Sequence, residues 1–249
     1  MAEQREAASA VGWMAVLLDG VGGYVDAVGF LLLFQLFAAN MSGNSILLGV
    51  NLGQGHWDAA LRQALPIPLF VAGVVLGLLL CRALAARGRR STIAAALALE
   101  ALLLATFAVY GSRFLQAGAL RPAADWQTVL LTALITVPMG LQNAALRHVG
   151  SLSVRTTFVT GTLASLAETA VAYLGPPAPS ARAGNASRAR LLGGMWAAYV
   201  GGAALGAAAV TRWALGALTA PLLVLAALTV LDLARPTVPP DLPGGAGAR

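Results

Sequence analysis

With 249 residues, the chain is 58% hydrophobic and only 10% charged. Its mean hydropathy is +0.77, which excludes an ordinary soluble domain, where about a quarter of residues are charged. The net charge of +6 rests on arginine alone. No basic patch interleaved with aromatics accompanies it, so nucleic acid is excluded as a partner and the lipid bilayer is the expected one. The single Cys81 excludes an intrachain disulfide. No Cys/His grouping has metal-ligand spacing, so neither a metal nor another cofactor is expected.

Six apolar stretches are long enough to cross about 30 Å of hydrocarbon at about 1.5 Å per residue. They cover residues 11–33, 66–84, 92–110, 127–146, 191–211 and 214–233. Residues 1–10 carry Glu3, Arg5 and Glu6, and the first span carries Asp19 and Asp26, unlike the short uncharged core of a secretory signal. The N-terminal segment is therefore expected to be retained, and the first helix to be a true span.

Asp19 and Asp26 are seven apart and share one helical stripe, with Gly22, Gly23 and Gly29 within a turn of Asp26. A carboxyl in hydrocarbon costs several kcal/mol unless it is neutral, paired or wet, so this stripe must face the bundle interior. Asp19 fits an ion-pair role or a functional one. Asp26 belongs to a motif that recurs in the chain, which favours function. After the first span, residues 42–53 form an apolar run too short to cross as a helix. It follows Asn40 and opens on the Ser42-Gly43-Asn44 segment, where Ser42 would act as an N-cap.

On the second span, Gly73 and Gly77 form a Gly-x-x-x-Gly motif suited to close helix packing. Glu100 lies in the middle of the third span, with no other charge for nine residues on either side. Burial favours its protonated form, so it either carries a proton or bonds a neighbouring helix. Residues 113–126 form an outer linker.

The fourth span contains Gly140-Leu-Gln142-Asn143-Ala144 and is followed by Arg155, Thr156, Thr157 and the Thr160-Gly161-Thr162 segment. Residues 156–174 are borderline in length for a span. Residues 175–190, with Pro176, Pro177 and Pro179, read as a disordered cytoplasmic linker, and 236–249 as a disordered cytoplasmic tail. The fifth span carries a second Gly-x-x-x-Gly motif, Gly202 and Gly206. His56 and His148 fall at interfaces, and all five tryptophans lie near span ends, as an aromatic belt requires.

Arginine placement arbitrates the topology, because cytoplasmic loops are enriched in basic residues. Six spans with both termini inside leave only Arg62, Arg113, Arg121 and Arg212 of the 16 basic residues outside. A seventh span at 156–174 would split them evenly. The expected location is therefore the bacterial inner (plasma) membrane, multi-pass, with N- and C-termini cytoplasmic.

The chain also repeats itself. Gly23-Tyr-Val-Asp26-Ala27 followed by Ser42-Gly43 recurs as Gly140-Leu-Gln-Asn143-Ala144 followed by Thr160-Gly161, at spacings of 20 and 21 residues from first to last glycine. Phe70-Val-Ala-Gly73-Val-Val-Leu-Gly77 likewise matches Tyr199-Val-Gly-Gly202-Ala-Ala-Leu-Gly206 without a gap. Two halves of three spans each, 11–112 and 127–235, would then sit upside down relative to one another. This is the 3+3 inverted repeat found in secondary transporters, with the site between the halves. The expected fold class is thus an all-α transmembrane bundle with two short helical breaks. If each break starts a short helix, its free N–H groups could meet a polar or anionic group; the alternative is an ordinary cap at the membrane surface.

Gly23-Tyr-Val-Asp-Ala-Val-Gly-Phe30, Ala39-Asn-Met-Ser-Gly-Asn-Ser45, Gly140-Leu-Gln-Asn-Ala144 and Val154-Arg-Thr-Thr-Phe-Val-Thr-Gly-Thr162 resemble the signature segments of the YoaK-type family. These are bacterial inner-membrane proteins grouped as a domain of unknown function. Ser42 stands where Thr is more usual in that family's Thr-Gly-Asn segment, which keeps the hydroxyl. The resemblance implies a six-helix membrane protein and brings no substrate.

The expected function is secondary transport of a small polar or anionic solute. Asp26, Asn40, Ser42, Gly43, Asn44, Gln142, Asn143, Arg155, Thr157, Thr160, Gly161 and Thr162 would form its site, and Asp26 or Glu100 would couple proton movement. A noncatalytic membrane scaffold or accessory subunit is the alternative, and a passive channel and self-association stay open. An enzyme is not expected, since no Ser/His pair or cofactor motif has suitable spacing.

Overall fold

Long runs of Ala, Leu, Val and Gly offer no side-chain partners for the backbone, which in hydrocarbon must satisfy its own polar groups, and the helix does so within one segment. A computed structural model describes residues 2–89, 91–114, 122–146, 159–174 and 179–236, and the regular elements there are all helical. In chain order they are α1 (Ala2–Leu32), α2 (Met41–Gly53), α3 (Trp57–Ala64), α4 (Pro66–Ala86) and α5 (Thr92–Phe114). There follow α6 (Trp126–Leu146), α7 (Val159–Leu174), α8 (Pro179–Trp213), a 3-10 turn at Ala214–Leu218 and α9 (Thr219–Ala234).

Among the described residues, five stretches are long and apolar enough to cross a membrane: Gly12–Leu32, Trp57–Ala86, Thr92–Phe114, Trp126–Ala145 and Ala186–Ala234. The last runs for 49 residues. It is interrupted where Ala214 takes a left-handed φ of 48° and the 3-10 turn begins. α1 is already helical from Ala2, nine residues before the expected start of the first span.

Residues 179–190, expected as part of a disordered linker, are instead the first three turns of α8. Pro179 is the first helical residue, where a missing N–H costs nothing, and the Ala/Arg-rich run behind it has high helix propensity. Residues 175–178 and the tail 237–249 lie outside the described residues.

Glycines set the helix directions. A Cβ at Gly23 would collide with the Tyr199 carbonyl, one at Gly202 with that of Gly20, and one at Gly206 would press on that of Tyr24. Gly12 approaches Leu191 and Gly20 approaches Ala198, so numbering rises together along this contact and α1 and α8 are parallel. α4 and α6 are parallel too: a Cβ at Gly140 would collide with the Phe70 carbonyl, one at Gly73 with that of Val137, and one at Gly77 would crowd Ala144 and the Leu141 carbonyl.

α1 and α6 run opposite ways, since Gln142 reaches Leu18 while Gly29 approaches Ile135. α9 packs on α5, and Asp232 near its C-terminus accepts from the Ala94 N–H at the start of α5 at 2.9 Å, so this pair is antiparallel as well. α6 is the central post: 72% of its apolar window is buried, against 22% for the stretch containing α4. Val71, Val75, Leu76 and Leu79 of α4 and Leu223 and Val230 of α9 are exposed apolar side chains, the outer face a hydrocarbon solvent accepts.

Candidate functional site at the break after α1

α1 ends in a turn that ordinary residues avoid. Phe34 and Gln35 both have positive φ, 55° and 60°, a conformation costly for side chains of this size. The turn is held from outside by α3: the Gln63 side-chain amide donates to the carbonyls of Phe34 at 3.1 Å and Gln35 at 3.4 Å, and the Arg62 guanidinium sits over the Phe34 ring. Arg62 also pairs with Asp58, whose other carboxyl oxygen accepts from the Ala123 N–H of the segment before α6 at 2.9 Å.

From this turn the chain runs back alongside α1 to the level of Asp26. One Asp26 oxygen accepts from the N–H groups of Ala39 at 2.6 Å and Asn40 at 3.4 Å, with the Ala38 N–H also within reach. Consecutive N–H groups wrapped around an oxygen form a small anion nest. The other Asp26 oxygen accepts from the Tyr199 hydroxyl of α8 at 2.5 Å. The Asn40 side chain and Asp19 lie within interaction range of that hydroxyl.

α2 therefore begins level with Asp26, about a turn and a half back from the end of α1. Its N-cap is Asn40: the side-chain oxygen accepts from the Gly43 N–H at 3.1 Å and from the Ser42 hydroxyl at 2.7 Å. Ser42, the expected cap, is an exposed residue in the first turn, because the chain enters the helix two residues earlier than its Ser-Gly-Asn segment implied.

Asn44 is wholly buried and clamps the preceding loop, accepting from the Phe37 N–H at 2.8 Å and donating to the Phe37 carbonyl at 2.7 Å. Gly43 is needed because a Cβ there would meet the Phe37 ring.

The second copy of the motif is only partly described. Gln142 donates to the Leu18 carbonyl at 3.0 Å, joining α6 to α1, and Asn143 beside it is buried. Thr160, Gly161 and Thr162 occupy the first turn of α7, where only Thr162 is buried. Arg155, Thr156 and Thr157 lie outside the described residues.

Among the expected site residues, the structure brings Asp26, Asn40 and Asn44 together around one break, with Gln142 one peptide from Asp19. Glu100 lies apart on α5, wholly buried, with no hydrogen-bond partner for either carboxyl oxygen among the described residues. α6, against which α5 packs, carries Thr128, Thr132 and Thr136 along one buried stripe.

Sequence reasoning missed Tyr199 and Asp232. The signal for Tyr199 was present: in the repeat alignment it pairs with Phe70, as Asp26 pairs with Asn143, so the first-half carboxyl and the fifth-span hydroxyl are present or absent together. Asp232 left no such mark.

Long apolar helices packed through glycine, with polar side chains buried among them, define a multi-pass membrane protein. The chain belongs to the family described as protein of unknown function (DUF1275), whose model matches residues 14–231. It is similar to the UPF0700 transmembrane protein YoaK of Bacillus subtilis (strain 168), with 33% identity over 152 residues, 61% of this chain and 64% of that relative's length. No solved structure matches.

Proposed function

We propose that this protein is a secondary transporter of a small polar solute, built as a 3+3 inverted repeat with six crossings and both termini on the cytoplasmic side of a bacterial inner membrane. The observation that carries this reading is the break at Ala38–Asn40, lodged against Asp26 inside the bundle and tied by Tyr199 to the other half of the chain. Irregular backbone at that depth survives only where protein or a polar cavity surrounds it, and discontinuous helices at a repeat interface are where transporters bind.

The matched glycine contacts support the repeat. Gly23 against Tyr199 corresponds to Gly140 against Phe70, Gly202 against Gly20 to Gly73 against Val137, and Gly206 against Tyr24 to Gly77 against Leu141, each pair joining aligned positions of the two halves. Helix directions support the count. With α8 parallel to α1 and α6 antiparallel to both, α7 adds no net crossing, and the break at Ala214 divides the 49-residue stretch in two.

The N-terminus of α2 already faces the chain's own carboxylate, which disfavours an anionic solute at that end. Glu100 is the proposed proton carrier, because a carboxyl with no bonding partner to lose can change protonation without dismantling the fold. Uptake of small polar solutes into proteoliposomes, with and without a pH gradient, tests the proposal. Gradient-dependent accumulation lost in Glu100→Gln supports it. Absence of uptake, together with co-purification of a stoichiometric partner protein, replaces it with a scaffold role.

A further inference from the structure

Phe34 and Gln35 both hold positive φ in the turn after α1, a left-handed backbone that persists only where its surroundings over-determine it. Gln35 is exposed, so its own side chain does not hold the turn. The hold comes from α3, through the Gln63 amide on the Phe34 and Gln35 carbonyls and the Arg62 guanidinium 5.4 Å from the Phe34 ring centroid. That hold is incomplete. Gln63 is 4% exposed, and while its nitrogen serves two carbonyls its oxygen has no hydrogen-bond partner among the described residues. A buried amide oxygen without a donor is penalised relative to one in water. Turn strain and the stranded oxygen both favour parting of α3 from the turn, and the two donated bonds with the Arg62 contact oppose it. Such a balance makes a catch that can open.

The chain beyond the turn is built to move as one piece. Asn44 of α2 grips both backbone groups of Phe37, and α2 packs on α3. Little else anchors this piece: α2 buries only Asn44, and α3 only Ala60 and Gln63. An element with so little burial opens at low cost. Its ties to α1 are the Asp26 bonds to Ala39 and Asn40 and the Phe30 ring stacked on Phe37 at 5.1 Å. A further tie, from Asp58 to the Ala123 N–H, joins α3 to the segment before α6.

We propose that residues 36–64 form a flap over Asp26, latched by Gln63 on the Phe34–Gln35 turn and by Asp58 on Ala123, and that release of the latch lifts Ala38–Asn40 off the carboxylate. The flap deepens the transport reading, on which it rests for its purpose, by supplying a gate at the candidate site. The gate is one-sided. Where the repeat aligns Phe70 with Tyr199, Asp58, Arg62 and Gln63 align with Ser187, Leu191 and Leu192, none of which has a carboxylate, guanidinium or amide side chain.

Hydrogen exchange of the detergent-solubilised full-length protein, followed by mass spectrometry, tests this, with residues 36–44 as the reporter and α5 as the internal reference. Gln63→Leu removes both latch bonds and should speed exchange of the reporter segment about tenfold, and Asp58→Ala about threefold, with α5 unchanged. Gln35→Gly, at an exposed position, relieves the left-handed strain while sparing the latch and should slow exchange about threefold. Unchanged exchange in Gln63→Leu overturns the proposal, as does an acceleration shared by α5, or a Gln35→Gly protein that exchanges faster than the wild type. If Gln63→Leu does not fold, the other two variants decide: opposite shifts support the flap, and any other result overturns it. The readout needs no solute. Local acceleration without uptake keeps the flap and removes transport, whereas uptake with unaltered exchange does the reverse.

Discussion

Asp26 and Glu100 are equally hidden from solvent, at 2% and 0% exposure, yet their surroundings are opposites. Asp26 spends both oxygens on the Ala39 and Asn40 N–H groups and the Tyr199 hydroxyl. Neither oxygen of Glu100 has a hydrogen-bond partner among the described residues. A carboxylate bonded on both oxygens organises the chain around it, and altering it should first damage the fold. A carboxyl bonded on neither contributes little to folding, so its retention in an apolar span calls for another reason.

The largest effect that would sharpen this contrast is Asp26→Ala, which strands the Ala39 and Asn40 N–H groups. A loss of about 3 kcal/mol is expected, read as a lower unfolding midpoint in detergent and poor accumulation in the membrane. Gly23→Ala follows, because its methyl collides with the Tyr199 carbonyl and pushes α8 away from Asp26; a cost of about 2 kcal/mol is expected in the same melt. Tyr199→Phe removes a single hydrogen bond and should cost about 1 kcal/mol.

Glu100→Gln should leave stability within about 0.5 kcal/mol, since no hydrogen bond is lost, while abolishing any dependence of uptake on a pH gradient. The comparison breaks if Glu100→Gln unfolds the protein or if Asp26→Ala melts like the wild type. Ser42→Ala, at an exposed position, should be silent in both assays.

Spans and glycine contacts were legible in the sequence because both depend on local composition: a helix needs a long apolar run, and a close crossing needs Gly at fixed spacing. Thus residues 92–110 and 127–146 lie within α5 and α6, and Gly73, Gly77, Gly202 and Gly206 all sit at helix contacts. The break was legible as a position and not as a mechanism. Asn40 rather than Ser42 caps α2 because the path of the preceding loop decides which residue enters first, and that path is set by Asp26, 14 residues earlier. Residues 179–190 were misjudged since three prolines in a short segment signal a break, whereas the last of them opens a helix. The Asp58, Arg62 and Gln63 clamp left no mark in the sequence, because the carbonyls it holds belong to a turn with no sequence signature.

The bond between Tyr199 and Asp26 spans 173 residues of chain, which has a consequence for biogenesis. α1 is synthesised before α8 and carries two carboxylates into the membrane, but the hydroxyl that completes the Asp26 shell emerges only after the whole chain between them has been made. Until α8 arrives, the acidic stripe of α1 must be sheltered by the insertion machinery or by water. α1 therefore reaches its final place in the bilayer only once α8 has followed it.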